Sequence, residues 1–121
     1  MEKPISRKGH GWIDLAYVPL TAMAPEIFSF ENEENAQLLC RIQAGSALVS
    51  GLLTRAEWGL FKLIPFKTHL AIDAGLSLFS LTAPWVFGFS KNTKARNTFL
   101  AMGAAGLLAG MLTETKEMPL N

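Results

Sequence analysis

Slid against itself by 59 residues, the chain aligns His10–Thr54 with His69–Thr113 without a gap. Identities fall at His10/His69, Ile13/Ile72, Asp14/Asp73, Ala24/Ala83, Pro25/Pro84, Phe28/Phe87 and Phe30/Phe89. They continue at Ala36/Ala95, Leu48/Leu107, Gly51/Gly110, Leu53/Leu112 and Thr54/Thr113. Twelve matches in 45 positions, His, Asp and Pro among them, exceed what shared hydrophobicity produces, so the chain reads as a tandem duplication. Repeat one spans 10–54, a linker 55–67 and repeat two 68–113, together one domain of 121 residues.

The placement of charge says what each copy is. Gly11–Phe30, Ala36–Thr54, His69–Phe89 and Thr98–Thr113 hold only Asp14, Glu26, Arg41 and Asp73, whereas the tails and connections hold the other 17 of 21 charges. A soluble bundle carries a charged face along every helix. Ala-, Leu- and Gly-rich stretches without one predict membrane helices, the shortest near the lower limit of about 17 residues. The expected fold is an all-α membrane protein: four transmembrane helices as two tandem helical hairpins, joined by an interfacial linker helix. That linker, RAEWGLFKLIPFK, mixes Trp58, Phe61, Leu63 and Ile64 with Arg55, Glu57 and Lys62, which predicts a segment along the membrane surface with Trp58 at headgroup depth.

Two helices per copy make the repeats parallel rather than inverted, with both termini and the linker on one face. Lys3, Arg7, Lys8, Arg55, Lys62, Lys67 and Lys116 lie there, against Lys91, Lys94 and Arg96 on the other. The positive-inside rule therefore predicts a multi-pass protein with cytoplasmic termini. The polar first nine residues, followed by a stretch interrupted by Asp14 and two prolines, make a poor signal peptide, so the first helix is expected to be retained. A net charge of +1 without a basic, aromatic-interleaved patch predicts no nucleic-acid partner. Cys40, the single cysteine, allows no internal disulfide or thiolate cluster.

Several residue sets are candidates for structure or function. Pro25 and Pro84 interrupt helical stretches and free the carbonyls of Thr21 and Ser80, predicting matched kinks. Trp85, Phe87 and Phe89, with Phe28 and Phe30 in the first copy, are expected in an aromatic belt. Glu26 and Arg41 lie at similar depth and become Trp85 and Leu100 in the second copy, predicting a salt bridge in the first. The functional alternative is a charged anchor for a partner subunit or lipid headgroup. Ala47-xxx-Gly51 and Gly106-xxx-Gly110 are small-residue faces for close packing, between repeats or against another protein.

His10 with Asp14, and His69 with Asp73, are spaced i, i+4 on one helix face. They are expected to form an interhelical hydrogen-bond set with Thr54, Thr113 and Arg55. Three sharper readings stay open: a proton relay, a metal site of two His and two Asp, and bis-histidine haem.

The third apolar stretch ends in TAPWVFGFS, matched by MAPEIFSFE in the first copy. With the flanks LTRAEWGLFKLIPFKTHLAIDAG and GLLAGMLTETK, this resembles the SPW-repeat family of bacterial and archaeal membrane proteins, marked by a helix pair with a Ser-Pro-Trp motif. Ala83 stands here for the motif's Ser; in the first copy Ala24 and Glu26 stand for Ser and Trp. The resemblance implies helix-pair repeats in the bacterial cytoplasmic (inner) membrane and points to no enzymatic activity. With no nucleophile–base arrangement or phosphate loop, the chain is expected to be non-catalytic and without cofactor or metal. The expected role is an accessory or scaffolding subunit, its partners the lipid bilayer and other membrane subunits or itself. The alternative is a small proton-coupled transporter or channel, acting as an oligomer through the His/Asp pairs.

Overall fold

The computed structural model describes residues 3–119. Its helices are α1 (Arg7–Ile27), α2 (Glu34–Leu53), α3 (Phe66–Val86) and α4 (Thr93–Leu112), with no strand among the described residues. The bounds of α3 and α4 are those of α1 and α2 displaced by 59. The duplication is thus one of local structure as well as of letters. α1 packs chiefly on α2 and α3 on α4; the hairpins meet through α2 with α3 and α1 with α4.

Two isolated bridges, Ile5 with Thr113 and Thr54 with Ile64, are images of each other under the same displacement. Each ties the residues leading into one hairpin to those leaving the other. Ile5 N–H donates to Leu112 (3.1 Å) and Ile64 N–H to Leu53 (2.7 Å), with return bonds from Glu114 to Ile5 and from Arg55 to Ile64. The segment before α1, the segment after α4 and the linker therefore gather at one end of the bundle.

The starts of α1 and α4 are capped locally and that of α3 from afar, whereas α2 has no side-chain cap. Ser6 accepts from Gly9 N–H at 2.9 Å, and Asn92 from Ala95 N–H at 3.1 Å. Pro65 precedes α3 and has no side-chain cap to offer. Glu117, on the C-terminal segment, supplies one, accepting from Phe66 N–H at 2.7 Å and Lys67 N–H at 2.9 Å.

α1 and α3 end alike. Phe30 N–H reaches back to Pro25 O (2.9 Å) and Phe89 N–H to Pro84 O (2.8 Å), through left-handed residues Ser29 (φ 59°) and Gly88 (φ 76°). This six-to-one closure folds the following residue back on its own helix. Phe30 and Phe89 are consequently 0% and 1% exposed, in a core with Ala24, Ala83, Ala36, Ala95, Cys40 and Phe99. The expectation that Phe89 and Phe30 sit in an aromatic belt is thereby corrected. Phe28, Trp85 and Phe87 do face outward. Pro25 and Pro84 are buried, and both helices continue through them.

The linker corrects a second expectation. Residues 55–65 form no helix. Leu60 and Phe61 N–H groups both turn back to Leu52 O, at 2.9 and 3.0 Å, and Lys62 Nζ donates to the carbonyls of Ala56 and Gly59. A side chain at Gly59 would run into the Thr54 carbonyl. The alternation of apolar and charged residues thus lies on a looped chain. Trp58 is half-buried: its ring fills the space over Gly11, where a Cβ would collide with it, and lies edge-on to Phe66.

Polarity is distributed inside-out. His10, Thr21, Gln43, Ser50, Thr54, His69, Ser77, Ser80 and Thr113 are buried, whereas Trp12, Leu15, Leu20, Leu38, Val49, Leu78, Leu108 and Met111 are exposed. Among the described residues α2 is the one helix long and apolar enough, by length and composition, to cross a membrane. Polar residues within the other three keep them below that mark.

Candidate functional site

The first two turns of α1 and α3 place His10, Asp14, His69 and Asp73 together where the hairpins meet. His10 and His69 are 1% and 0% exposed. Each ring crosses to the other copy: His10 Nε2 is 2.9 Å from Asp73 Oδ2 and His69 Nε2 is 3.0 Å from Asp14 Oδ2. Within a copy the separations are 3.4 Å (His10 to Asp14) and 3.3 Å (His69 to Asp73), on the same oxygens. The i, i+4 spacing puts each pair on one face, and the displacement by 59 brings the faces together.

The other ring nitrogens meet hydroxyls on the last turns of α2 and α4. His10 Nδ1 lies 3.0 Å from Thr113 Oγ1, and His69 Nδ1 lies 2.9 Å from Thr54 Oγ1. Each threonine donates its own proton to a helix carbonyl, Thr54 to Ser50 and Thr113 to Ala109. A hydroxyl has one proton to give, so the threonine oxygen accepts and Nδ1–H donates. Ser50 Oγ adds a contact to His69 Nδ1 at 3.0 Å. Arg55, expected in this set, turns instead to the Met118 carbonyl at 3.4 Å. Both carboxylates line a cavity of about 60 Å³ with His10, Tyr17, Ser77 and Gly106. The imidazole centroids are 5.5 Å apart, and carboxylate oxygens stand 2.9–3.4 Å from each Nε2 where a haem iron would have to bind.

Around this cluster, Arg7 forks onto Glu57 through Nε and Nη2 at 3.0 and 2.9 Å, and donates to the Lys116 carbonyl. The Arg7 guanidinium holds the Glu57 carboxyl below the usual range. Burial alone would raise that of Glu117, but the N–H groups of Lys67 and Phe66 and the charges of Arg55 and Lys67 hold it lower.

At the opposite end Arg41 pairs with Glu26 and also donates to the Ala22 carbonyl, beside the one that Pro25 frees. A side chain at Gly106 would meet Ser77 of α3, its own hairpin partner, and Ala47 is buried against α1. Gly51 lies against Trp58, whereas nothing approaches the Gly110 Cβ position. Gly106 thus serves packing within its hairpin, and Gly51 makes room for the linker.

The Pro-Trp step closes α3, with Pro84 buried and Trp85 58% exposed at the turn into the Phe89 closure. A model of the SPW repeat domain matches residues 8–113, most of the chain. The chain belongs to the SPW repeat family. No curated protein and no solved structure matches it. In this SPW repeat chain both copies end their first helix in the same closure although Glu26 stands at the Trp position of the first, so the closure goes with Pro and the Phe five residues beyond it rather than with Trp.

Four contributors are absent from the sequence-level candidates. Gln43 is buried and donates to Ser80 Oγ, its Oε1 without a partner; its signal was a lone amide in an apolar stretch. Ser50 lies one helical turn before Thr54, a spacing that was visible. Glu117 and the Arg7–Glu57 pair gave no signal, because their partners are some 50 residues away.

Proposed function

We propose that this SPW repeat chain is an integral membrane protein of four spans, with both termini on the cytoplasmic face, acting as a non-catalytic accessory or scaffolding subunit of a larger membrane complex. The observation that carries the reading is the inside-out distribution of polarity. Large apolar side chains face outward on all four helices, while the buried polar groups answer one another. In water such a surface aggregates; in lipid it is solvated. Helices of 20 and 21 residues are about 30 Å long, the thickness of a hydrocarbon core. The Glu26–Arg41 pair is then mutually neutralised below the far surface, and the Lys and Arg excess near the termini supports the orientation.

The accessory role is tested by tagging the C-terminus, purifying from native membranes in mild detergent and identifying co-eluting proteins. Stoichiometric partners are expected; elution alone, as a small homo-oligomer, contradicts it. One observation favours a second reading, proton-coupled transport: both carboxylates border a cavity of about 60 Å³. Loss of ion flux in Asp14→Asn with Asp73→Asn, folding intact, would establish that alternative.

A further inference from the structure

We propose that His10, Asp14, His69 and Asp73 form a binding site for one divalent transition-metal ion of the zinc class, which ties the two repeats together at their shared axis. The proposal is independent of whether the chain has partner subunits.

The starting point is the proton inventory. Thr54 and Thr113 each spend their hydroxyl proton on a helix carbonyl, so each imidazole presents Nδ1–H to a threonine oxygen. A neutral ring so fixed has a bare Nε2. Both bare nitrogens face the same two carboxylate oxygens, Asp14 Oδ2 and Asp73 Oδ2, at 2.9, 3.0, 3.3 and 3.4 Å. Four lone-pair donors from four residues thus gather in one cluster, all within 4.8 Å of one another. Without a positive charge between them the arrangement is repulsive, and both rings are buried.

A metal ion fits the four His–Asp separations. Zinc holds N and O ligands at about 2.0–2.2 Å, which spaces tetrahedral ligand atoms about 3.3–3.6 Å apart. The four His–Asp separations lie at that spacing or a few tenths of an ångström inside it. Each Nε2 has one carboxylate oxygen at 2.9 or 3.0 Å and the second at 3.3–3.4 Å, so an ion seated between the two oxygens is within reach of both rings. Two carboxylates, two neutral imidazoles and one divalent cation sum to zero charge, which suits an apolar interior. Metal-bound histidines regularly donate their second N–H to an orienting group, the part the threonines take. Mixed imidazole and carboxylate donors select zinc, cobalt, nickel, copper or iron over calcium and magnesium, which favour all-oxygen shells.

The test uses the full-length chain purified in mild detergent and stripped with a chelator. Co²⁺ is the probe, followed by visible absorption, then displaced by Zn²⁺. Saturable uptake of a single ion per chain is expected, with the intense bands of tetrahedral cobalt and a raised Tm. Asp14→Asn with Asp73→Asn should abolish uptake while the gel-filtration profile and helical signal persist. Thr54→Val with Thr113→Val keeps all four ligands and should weaken binding about 10–100-fold. This second variant decides the matter should the double Asn variant fail to fold. If the wild type takes up neither ion and its Tm is unmoved, protons rather than a metal hold the cluster and the proposal falls. Equal uptake by the folded Asn variant, or unchanged affinity in the Val variant, would overturn it as well.

Discussion

The end of the bundle that gathers the termini and linker carries the same polar residues in both copies, His10 and Asp14 answered by His69 and Asp73. The opposite end carries Glu26 with Arg41 in one copy and Trp85 with Leu100 in the other. The difference follows from where each set lies relative to the axis between the hairpins. His10 touches Asp73 and His69 touches Asp14, so a change in one copy leaves a group of the other without its partner. Glu26 and Arg41 belong to α1 and α2 of a single hairpin, so they can change together without reference to the second copy. Residues that face their own images stay matched, and residues that face within a copy are free to diverge in pairs.

The sharpest way to break this comparison is at the axis. His69→Leu leaves both carboxylates short of a partner and is expected to cost about 3–5 kcal/mol, read by unfolding in detergent. His10→Leu should cost the same to within about 1 kcal/mol, because the contacts are images of each other; a large disparity would mean the copies play unequal parts. At the far end, Arg41→Leu alone strands the Glu26 carboxylate and should cost about 1–3 kcal/mol. Adding Glu26→Trp, which transplants the second copy's residues into the first, should return the protein to within about 1 kcal/mol of wild type.

The helix-end closures give a smaller contrast. Gly88→Ser places a side chain in the left-handed region and should cost about 1 kcal/mol, and Ser29→Gly should stabilise by about 0.5–1 kcal/mol. The smallest effect concerns the remote cap. Glu117 has a carboxyl held below its ordinary value, so its contribution is present above the unfolded value and is lost as pH falls through the folded one. Glu117→Gln should therefore lower Tm slightly at neutral pH, and the gap should close as the solution is acidified below about pH 4.

How much of this can be read from the letters depends on sequence distance. The offset of 59 is in the sequence, and the helix bounds repeat it. The i, i+4 placement of His10 with Asp14 is equally plain, as is the joint exchange of Glu26 and Arg41. That each histidine lies nearer the aspartate of the other copy is not, because it depends on how the hairpins meet. The inward turn of Phe30 and Phe89 follows from the closure through Ser29 and Gly88, and Ser29 carries no left-handed signal. The linker misleads for a related reason: Trp58, Phe61 and Leu63 have the composition of a surface helix, but Gly59 pressed on the Thr54 carbonyl and the bonds back to Leu52 and Leu53 loop the chain and turn Trp58 inward over Gly11. Glu117 capping α3 is a contact across about half the chain that no local pattern announces.

The central claim is that the histidine–aspartate set joins the two copies across their axis. The direct measurement is a double-mutant cycle between His10→Leu and Asp73→Leu, read by unfolding in detergent, with His10→Leu and Arg41→Leu as the control pair. A coupling of about 1–3 kcal/mol for the cross-copy pair, beside additivity within about 0.5 kcal/mol for the control, is the predicted result. Additivity in both cycles would show that the copies are joined by something else.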